Sequence, residues 1–158
     1  MQGILENDIN TETYLIFSVL ERRYSIPSKY IDEISLFDTV YPLPLMPPYI
    51  LGIINRYSVP YALFDINLLL HENREPPVSF SQKKKALVLK DEIDRIAFLI
   101  DDVISIADIT KDIVFNIEKN TESNDLSQAI VAFFKLDSND IFVLDIQKIM
   151  DIIKKEAV

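Results

Sequence analysis

Apolar and polar residues alternate with a period of two along much of the chain, a pattern that predicts strands rather than helices. In Tyr14–Leu20, Leu15, Phe17 and Val19 fall on one face, and Tyr24–Pro27 follows after Glu21–Arg22–Arg23. Together they read as a hairpin with a short charged loop. Ala86–Lys90 and Arg95–Ile100 enclose Asp91–Glu92–Ile93–Asp94, while Val131–Leu136 and Ile141–Leu144 enclose Asp137–Ser138–Asn139–Asp140. Asp and Asn tolerate left-handed backbone and bond their own main chain, so they can replace glycine in such turns. That replacement is needed, because the chain has only 2 glycines.

From Leu43 to Ile66 the pattern changes. Pro44, Pro47 and Pro48 fix φ and remove backbone donors, so the approach to Tyr49 is a stiff loop. A strand ending at Asn55 and a second closing on Asp65 follow. Helical spacing is sparse: Ile66–His71 reads as one or two turns capped by Asp65. Ile146–Glu156 places Ile149, Ile152 and Ile153 on one helical face. Glu72–Gln82, with Pro76 and Pro77, lacks periodicity and predicts a subdomain break near 73–82, with the first strand able to cross to the other half. Glu118–Gln128 reads as a polar loop between strands. Short strands with few helices suggest barrels or a sandwich.

With 158 residues, 49% of them hydrophobic, and a mean hydropathy of +0.14, the chain can bury a real core. Its net charge of −9 and sequence pI near 4.6 repel phosphate backbones and anionic lipid. Neither nucleic acid nor membrane is expected as a partner. The one basic run, Lys83–Lys84–Lys85, reads as a solvated linker. Without cysteine, disulfides and thiolate metal sites are excluded. MQGILENDIN lacks a basic-then-apolar signal pattern, and no apolar run approaches the roughly 18 residues that span a bilayer. These features predict a soluble, cytoplasmic protein.

Catalytic chemistry finds little footing. His71 is the sole histidine, at the end of a short predicted helix, where a surface or capping role suffices. Gly3 and Gly52 cannot build a phosphate-cradling loop. Asp91, Glu92 and Asp94 sit in an expected turn and lack the glycine and downstream glutamate of a calcium loop. Asp101 and Asp102, adjacent on an expected strand, point to opposite faces. Tyr24, Tyr30, Tyr41, Tyr49, Tyr57 and Tyr61 crowd the first half; packing explains most, yet tyrosine is also favoured at interfaces.

The order of residues adds a further observation. Pro47, Tyr49, Ile50, Gly52, Ile53, Ile54, Asn55 and Asp65 follow a proline-loop, Tyr–Ile–x–Gly, apolar pair, Asn, strand-to-Asp pattern without a gap. Ile31, Glu33 and Ile34 precede it; Ile100, Asp101 and Val103, then Leu144, Asp145 and Ile146, follow it. This sequence of motifs, from about Thr13 to Met150, resembles the CheW family of bacterial chemotaxis adaptors. The departures are local. The family's Arg–Gly after the motif asparagine is Tyr57–Ser58, with Arg56 one place early; its strand proline is Ala62, and a later glycine is Ala132.

The resemblance implies an all-β fold with minor helix, namely two SH3-like five-stranded β-barrels sharing a core, with a short C-terminal helix. Residues 1–158 then form a single CheW-like domain. It also implies a non-enzymatic scaffold without cofactor, joining a chemoreceptor cytoplasmic tip to the regulatory domain of a CheA-type histidine kinase. Glu33, Asn55, Arg56, Tyr57, Ser58 and Val103 are the partner-binding residues so implied. A one-residue shift on a strand turns a side chain to the other face, so Arg56 would reach Glu33 only through a bulge or irregular turn. The alternatives are a CheW-like module of another kinase complex with altered receptor coupling, or a small β-barrel enzyme or ligand-binding protein.

Overall fold

The computed structural model describes residues 10–70, 84–90, 94–117 and 129–156. Eleven strands form two sheets among these residues. In chain order they are β1 (Thr11–Val19), β2 (Arg22–Pro27), β3 (Ile31–Phe37), β4 (Ile50–Arg56), β5 (Val59–Asp65), β6 (Lys84–Leu89), β7 (Ile96–Ile100), β8 (Asp102–Thr110), β9 (Phe115–Asn116), β10 (Ile130–Leu136) and β11 (Asn139–Leu144). Helix α1 (Ile66–Leu70) follows β5, and α2 (Ile146–Glu156) follows β11. Two 3-10 turns that the sequence did not signal, Ser28–Tyr30 and Lys111–Ile113, lead into β3 and out of β8.

The chain divides into two compact units, each built on one sheet. One sheet runs β3-β6-β7-β5-β4, and the other β8-β1-β2-β11-β10-β9. The two orders are equivalent strand for strand, except that the second carries the short β9 as a sixth member. The β6–β7 hairpin completes a sheet otherwise made of β3, β4 and β5. The β1–β2 hairpin completes the sheet of β8, β10 and β11. The six-stranded unit thus takes its hairpin from the N-terminal end of the sequence, whereas the hairpin of the five-stranded unit comes from the same stretch of chain as its other strands. The predicted break at 73–82 lies outside the described residues. The chain crosses between units elsewhere, at Lys29/Tyr30 and Asp102/Val103, and Ser18–Leu20 at the end of β1 count with the five-stranded unit.

The likeness extends to single residues. Ile54 faces Tyr61, and Gly52 faces Leu63; in the other unit Phe134 faces Ile141, and Ala132 faces Val143. The register slips at the same place in both hairpins, between Ile50/Gly52 and Ile130/Ala132. One buried cluster contains Phe37, Ile54, Tyr61, Leu63, Ala86, Val88 and Ala97. The other contains Tyr14, Ile16, Ile109, Ala132, Phe134, Ile141 and Val143. The expected alternation in β1 is overridden, since Tyr14, Leu15, Ile16 and Phe17 are all buried.

The hairpin turns are shorter than the sequence suggests. Leu20–Glu21, Tyr57–Ser58 and Asp137–Ser138 each place two consecutive residues at positive φ, 48° and 67°, 50° and 64°, and 52° and 65°. Two residues at positive φ match the right-handed twist of the flanking strands, as in type I′ turns. Leucine, glutamate and tyrosine are unusual there, which is why charged three- or four-residue loops were the sequence expectation. A second correction concerns Ile100–Val103. Instead of one strand, Asp101 forms a bend between β7 and β8, where its Oδ2 accepts the Leu20 amide at 2.7 Å. Asp102 pairs separately with Lys85 at 2.5 Å.

Both sheets are closed by the continuation of their own terminal strand. Beyond β3, Tyr41 exchanges two backbone bonds of 2.8 Å with Ile53 of β4. Beyond β8, β9 pairs antiparallel with β10. Closure removes the unpaired edges that invite aggregation. At Gly52, φ is +146°, and an added Cβ would lie 2.4 Å from the Tyr41 carbonyl oxygen and 2.8 Å from Val40 Cγ1. Gly52→Ala should therefore cost about 1–3 kcal/mol through backbone strain and crowding. Urea unfolding would show this as a lower midpoint at unchanged slope.

Asp65 and Asp145 begin their helices in the same way, with Oδ1 accepting the amides of Leu68 at 3.1 Å and Lys148 at 3.0 Å. Burial pushes the Asp65 carboxyl above its usual range, against the pull of the Leu68 and Asn67 amides. A raised folded-state pKa means that the fold gains from this group as pH falls through that value, with the gain complete below the unfolded value. Relative to Asp65→Asn, the natural protein should become more stable between neutral and mildly acid pH. Asp65→Ala, which loses the cap, should cost about 1 kcal/mol in denaturant titrations.

Candidate partner-binding site

Strand β4 buries Gly52 and Ile54 and exposes Asn55, so Arg56 continues the inward face of Ile54. In the sister hairpin this position is Leu136, which packs on its core cluster. Arg56 instead covers the end of its barrel with a charge, and its side chain is only 15% exposed. A guanidinium placed there must be paired. Its Nε lies 2.5 Å from Glu33 Oε1, its Nη2 2.5 Å from Asp32 Oδ2, and its Nη1 donates to the Tyr61 hydroxyl at 3.1 Å. Its Cζ stands 5.2 Å from the Tyr57 ring centre and 5.6 Å from that of Tyr61, within cation–π range. The Glu33 carboxylate first, with Asp32 and the Tyr61 hydroxyl adding to it against burial, raises the Arg56 pKa further and fixes its charge.

Two adjacent strand residues ordinarily point to opposite faces, yet Asp32 and Glu33 hold the same guanidinium. The reason is a bulge. Ile31 opposes Leu89 and Glu33 opposes Val88, which leaves Asp32 as the extra residue of β3. The irregularity that the Arg56–Glu33 pair requires is therefore real, but it lies in the carboxylate strand. Register through Arg56↔Val59 is regular. The consecutive polar residues of Ile31–Asp32–Glu33–Ile34 interrupt the apolar spacing, and that interruption is the signal by which Asp32 could have been found. Tyr61 gave no such signal, because its buried ring is a core residue and only its hydroxyl serves the site.

The other expected residues lie as follows. Tyr57, 82% exposed, crowns the turn against Arg56, with exposed Ser58 beside it. Asn55 is exposed and borders a shallow pocket of about 240 Å³ that also touches Leu36, Asp38 and Tyr41. Exposed apolar side chains continue there, with Leu36 at 61% and Tyr41 at 53%. Val103 belongs to the six-stranded unit, where β8 exposes Val103, Ile104 and Ile106 in succession. Among the described residues no three His, Cys, Asp or Glu side chains gather as a metal site, and no helix is long and apolar enough to cross a membrane. His71, Asp91 and Glu92 lie outside the described residues.

Two β-sheet units, one of which carries an arginine–carboxylate cluster behind an exposed turn, define an all-β protein with minor helix. A family model for the CheW-like domain matches residues 13–154, and the chain belongs to that family. Its fold is similar to the crystal structure of scaffolding protein TtCheW from Thermoanaerobacter tengcongensis, with a TM-score of 0.69 and 16% identity over 85% of this chain and 84% of that one. No curated protein sequence matches it.

The Arg56 cluster predicts a measurable pairwise energy. In a double-mutant cycle of Arg56→Leu and Glu33→Gln, coupling should be about 0.5–1 kcal/mol at low ionic strength and approach zero in molar salt. Arg56→Leu alone should remain folded, because Leu136 fills the equivalent place in the sister hairpin.

Proposed function

We propose that this chain is a non-enzymatic scaffold of bacterial chemotaxis signalling, coupling a chemoreceptor cytoplasmic tip to the regulatory domain of a CheA-type histidine kinase in the cytoplasm. The reading rests on family membership together with one observation, the Arg56–Glu33–Asp32 cluster beneath an exposed Tyr57. A half-buried ion pair that braces a surface turn fixes the side chains a partner meets, which suits recognition rather than catalysis. Residues 1–158 act in this reading as one CheW-like domain.

Glu33, Asn55, Arg56, Tyr57 and Ser58 form the contact surface of the five-stranded unit, and Val103 is a separate contact residue on β8 of the six-stranded unit. Arg56 performs the bracing that the motif arginine would perform from the next position. That leaves the turn position to Tyr57, a neutral aromatic group where ordinary members offer a cation. Loss of an exposed charge alters which partners fit more than it alters stability. Kinase binding is therefore retained and receptor preference shifted.

Titrating the natural protein and Tyr57→Arg/Ser58→Gly against a kinase regulatory domain and one typical receptor tip tests this. Kinase affinity should stay within about threefold, while receptor affinity of the double variant should rise about fivefold or more. Equal receptor binding by two folded proteins would remove Tyr57 and Ser58 from the specificity surface. Failure of both to bind the kinase domain would overturn the adaptor reading.

A further inference from the structure

The six-stranded unit contains a cleft of about 350 Å³ remote in sequence from the Arg56 motif. Its floor is apolar, formed by Tyr14, Pro27, Ile109 and Val114. Ile109 is buried, and the Tyr14 ring packs 5.4 Å from that of Phe134, so the floor is the end of the barrel core. Lys29, from the 3-10 turn after β2, and Lys111, from the 3-10 turn after β8, both line the rim. Glu12 lies 3.5 Å from Lys29 and balances one of the two charges. Lys111 has no ion-pair partner among the described residues, so the described part of the rim carries a net positive charge on a chain whose overall charge is −9.

The fold does not demand these lysines. Past the buried end of β3, Phe37, the sister unit carries Asp38 and Thr39 beside its own shallow pocket. Past the last buried residue of β8, Ile109, the six-stranded unit carries Thr110 and Lys111. The same architecture therefore closes with an acidic and a neutral residue in one unit, and with a cation facing the cleft in the other.

We propose that this cleft is a second peptide-docking site, one that receives an acidic segment of a partner protein by seating an apolar side chain on the Tyr14–Ile109–Val114 floor and a neighbouring carboxylate at Lys111 and Lys29. The volume lies at the bottom of the range for whole small-molecule ligands and holds one or two side chains. An apolar floor wastes a bare phosphate, and the chain's overall negative charge repels a polyanion. A single carboxylate beside an aliphatic group satisfies both parts of the cleft.

The probe is the blocked peptide acetyl-Gly-Leu-Glu-Gly-amide, titrated to millimolar concentration into the full chain and followed by amide chemical shifts. Saturable shifts should concentrate at Lys29 and across 109–116, leaving 55–58 unmoved. Lys111→Glu should weaken binding about fivefold or more, and Lys111→Ala by a smaller factor, with thermal midpoints unchanged for these exposed substitutions. The glutamine and the Gly-for-Leu versions of the peptide should both bind more weakly. Absence of saturable shifts overturns the proposal, as does equal binding of the glutamine peptide or of Lys111→Glu. Equivalent shifts produced by sodium acetate alone would make the cleft a simple anion site and overturn it too. Because 55–58 serve as the internal reference, failure here is distinguishable from failure of the adaptor reading.

Discussion

The two backbone bonds between Tyr41 and Ile53 hold the five-stranded unit in the form its surface requires. β3 and β4 stand at opposite ends of the sheet order, so an ion pair between Glu33 and Arg56 exists only because the sheet curls and closes. Closure brings a carbonyl against Gly52, which is why a side chain there is costly. It also anchors the start of the proline loop, in which Pro44–Leu45 makes a turn with Leu45 at φ 59°. The loop, the glycine and the charged cluster are thus consequences of one closure.

Repetition gives this closure twice. The five-stranded unit is encoded almost contiguously by Tyr30–Asp102, whereas the six-stranded unit combines β8–β11 with the distant β1–β2 hairpin. Non-local pairing of this kind costs loop-closure entropy before its contacts form, and it is expected to slow folding. It also lets the two mouths diverge. Arg56 and Leu136 occupy equivalent positions, one held by carboxylates and the other by apolar packing. A scaffold with two similar barrels and dissimilar ends can distinguish several partners by the chemistry at each end.

Much of this was legible in the sequence. Strand alternation located the hairpins, Asp65 announced its cap, and the order of motifs around Gly52 indicated the family and the two-barrel fold. What escaped was local backbone geometry. A two-residue turn built from Leu20–Glu21 or Tyr57–Ser58 lacks the asparagine or glycine by which such turns are recognised, and Asp101 looks like a strand residue until its bend is seen. The Arg56–Glu33 pair needed the bulge at Asp32, whose only trace is two polar residues in succession. Register across distant strands and the distant origin of the β1–β2 hairpin leave no periodic mark at all.

The central claim is that the turn braced by Arg56 meets the partners of a chemotaxis scaffold. Site-specific photo-crosslinking in the source cell addresses it, with the reactive side chain placed at Tyr57 and, as a control, at exposed Lys148 on α2. The account predicts covalent products containing a chemoreceptor or a CheA-type kinase from position 57 and none from position 148. A folded, expressed protein that yields neither partner from position 57 would contradict it.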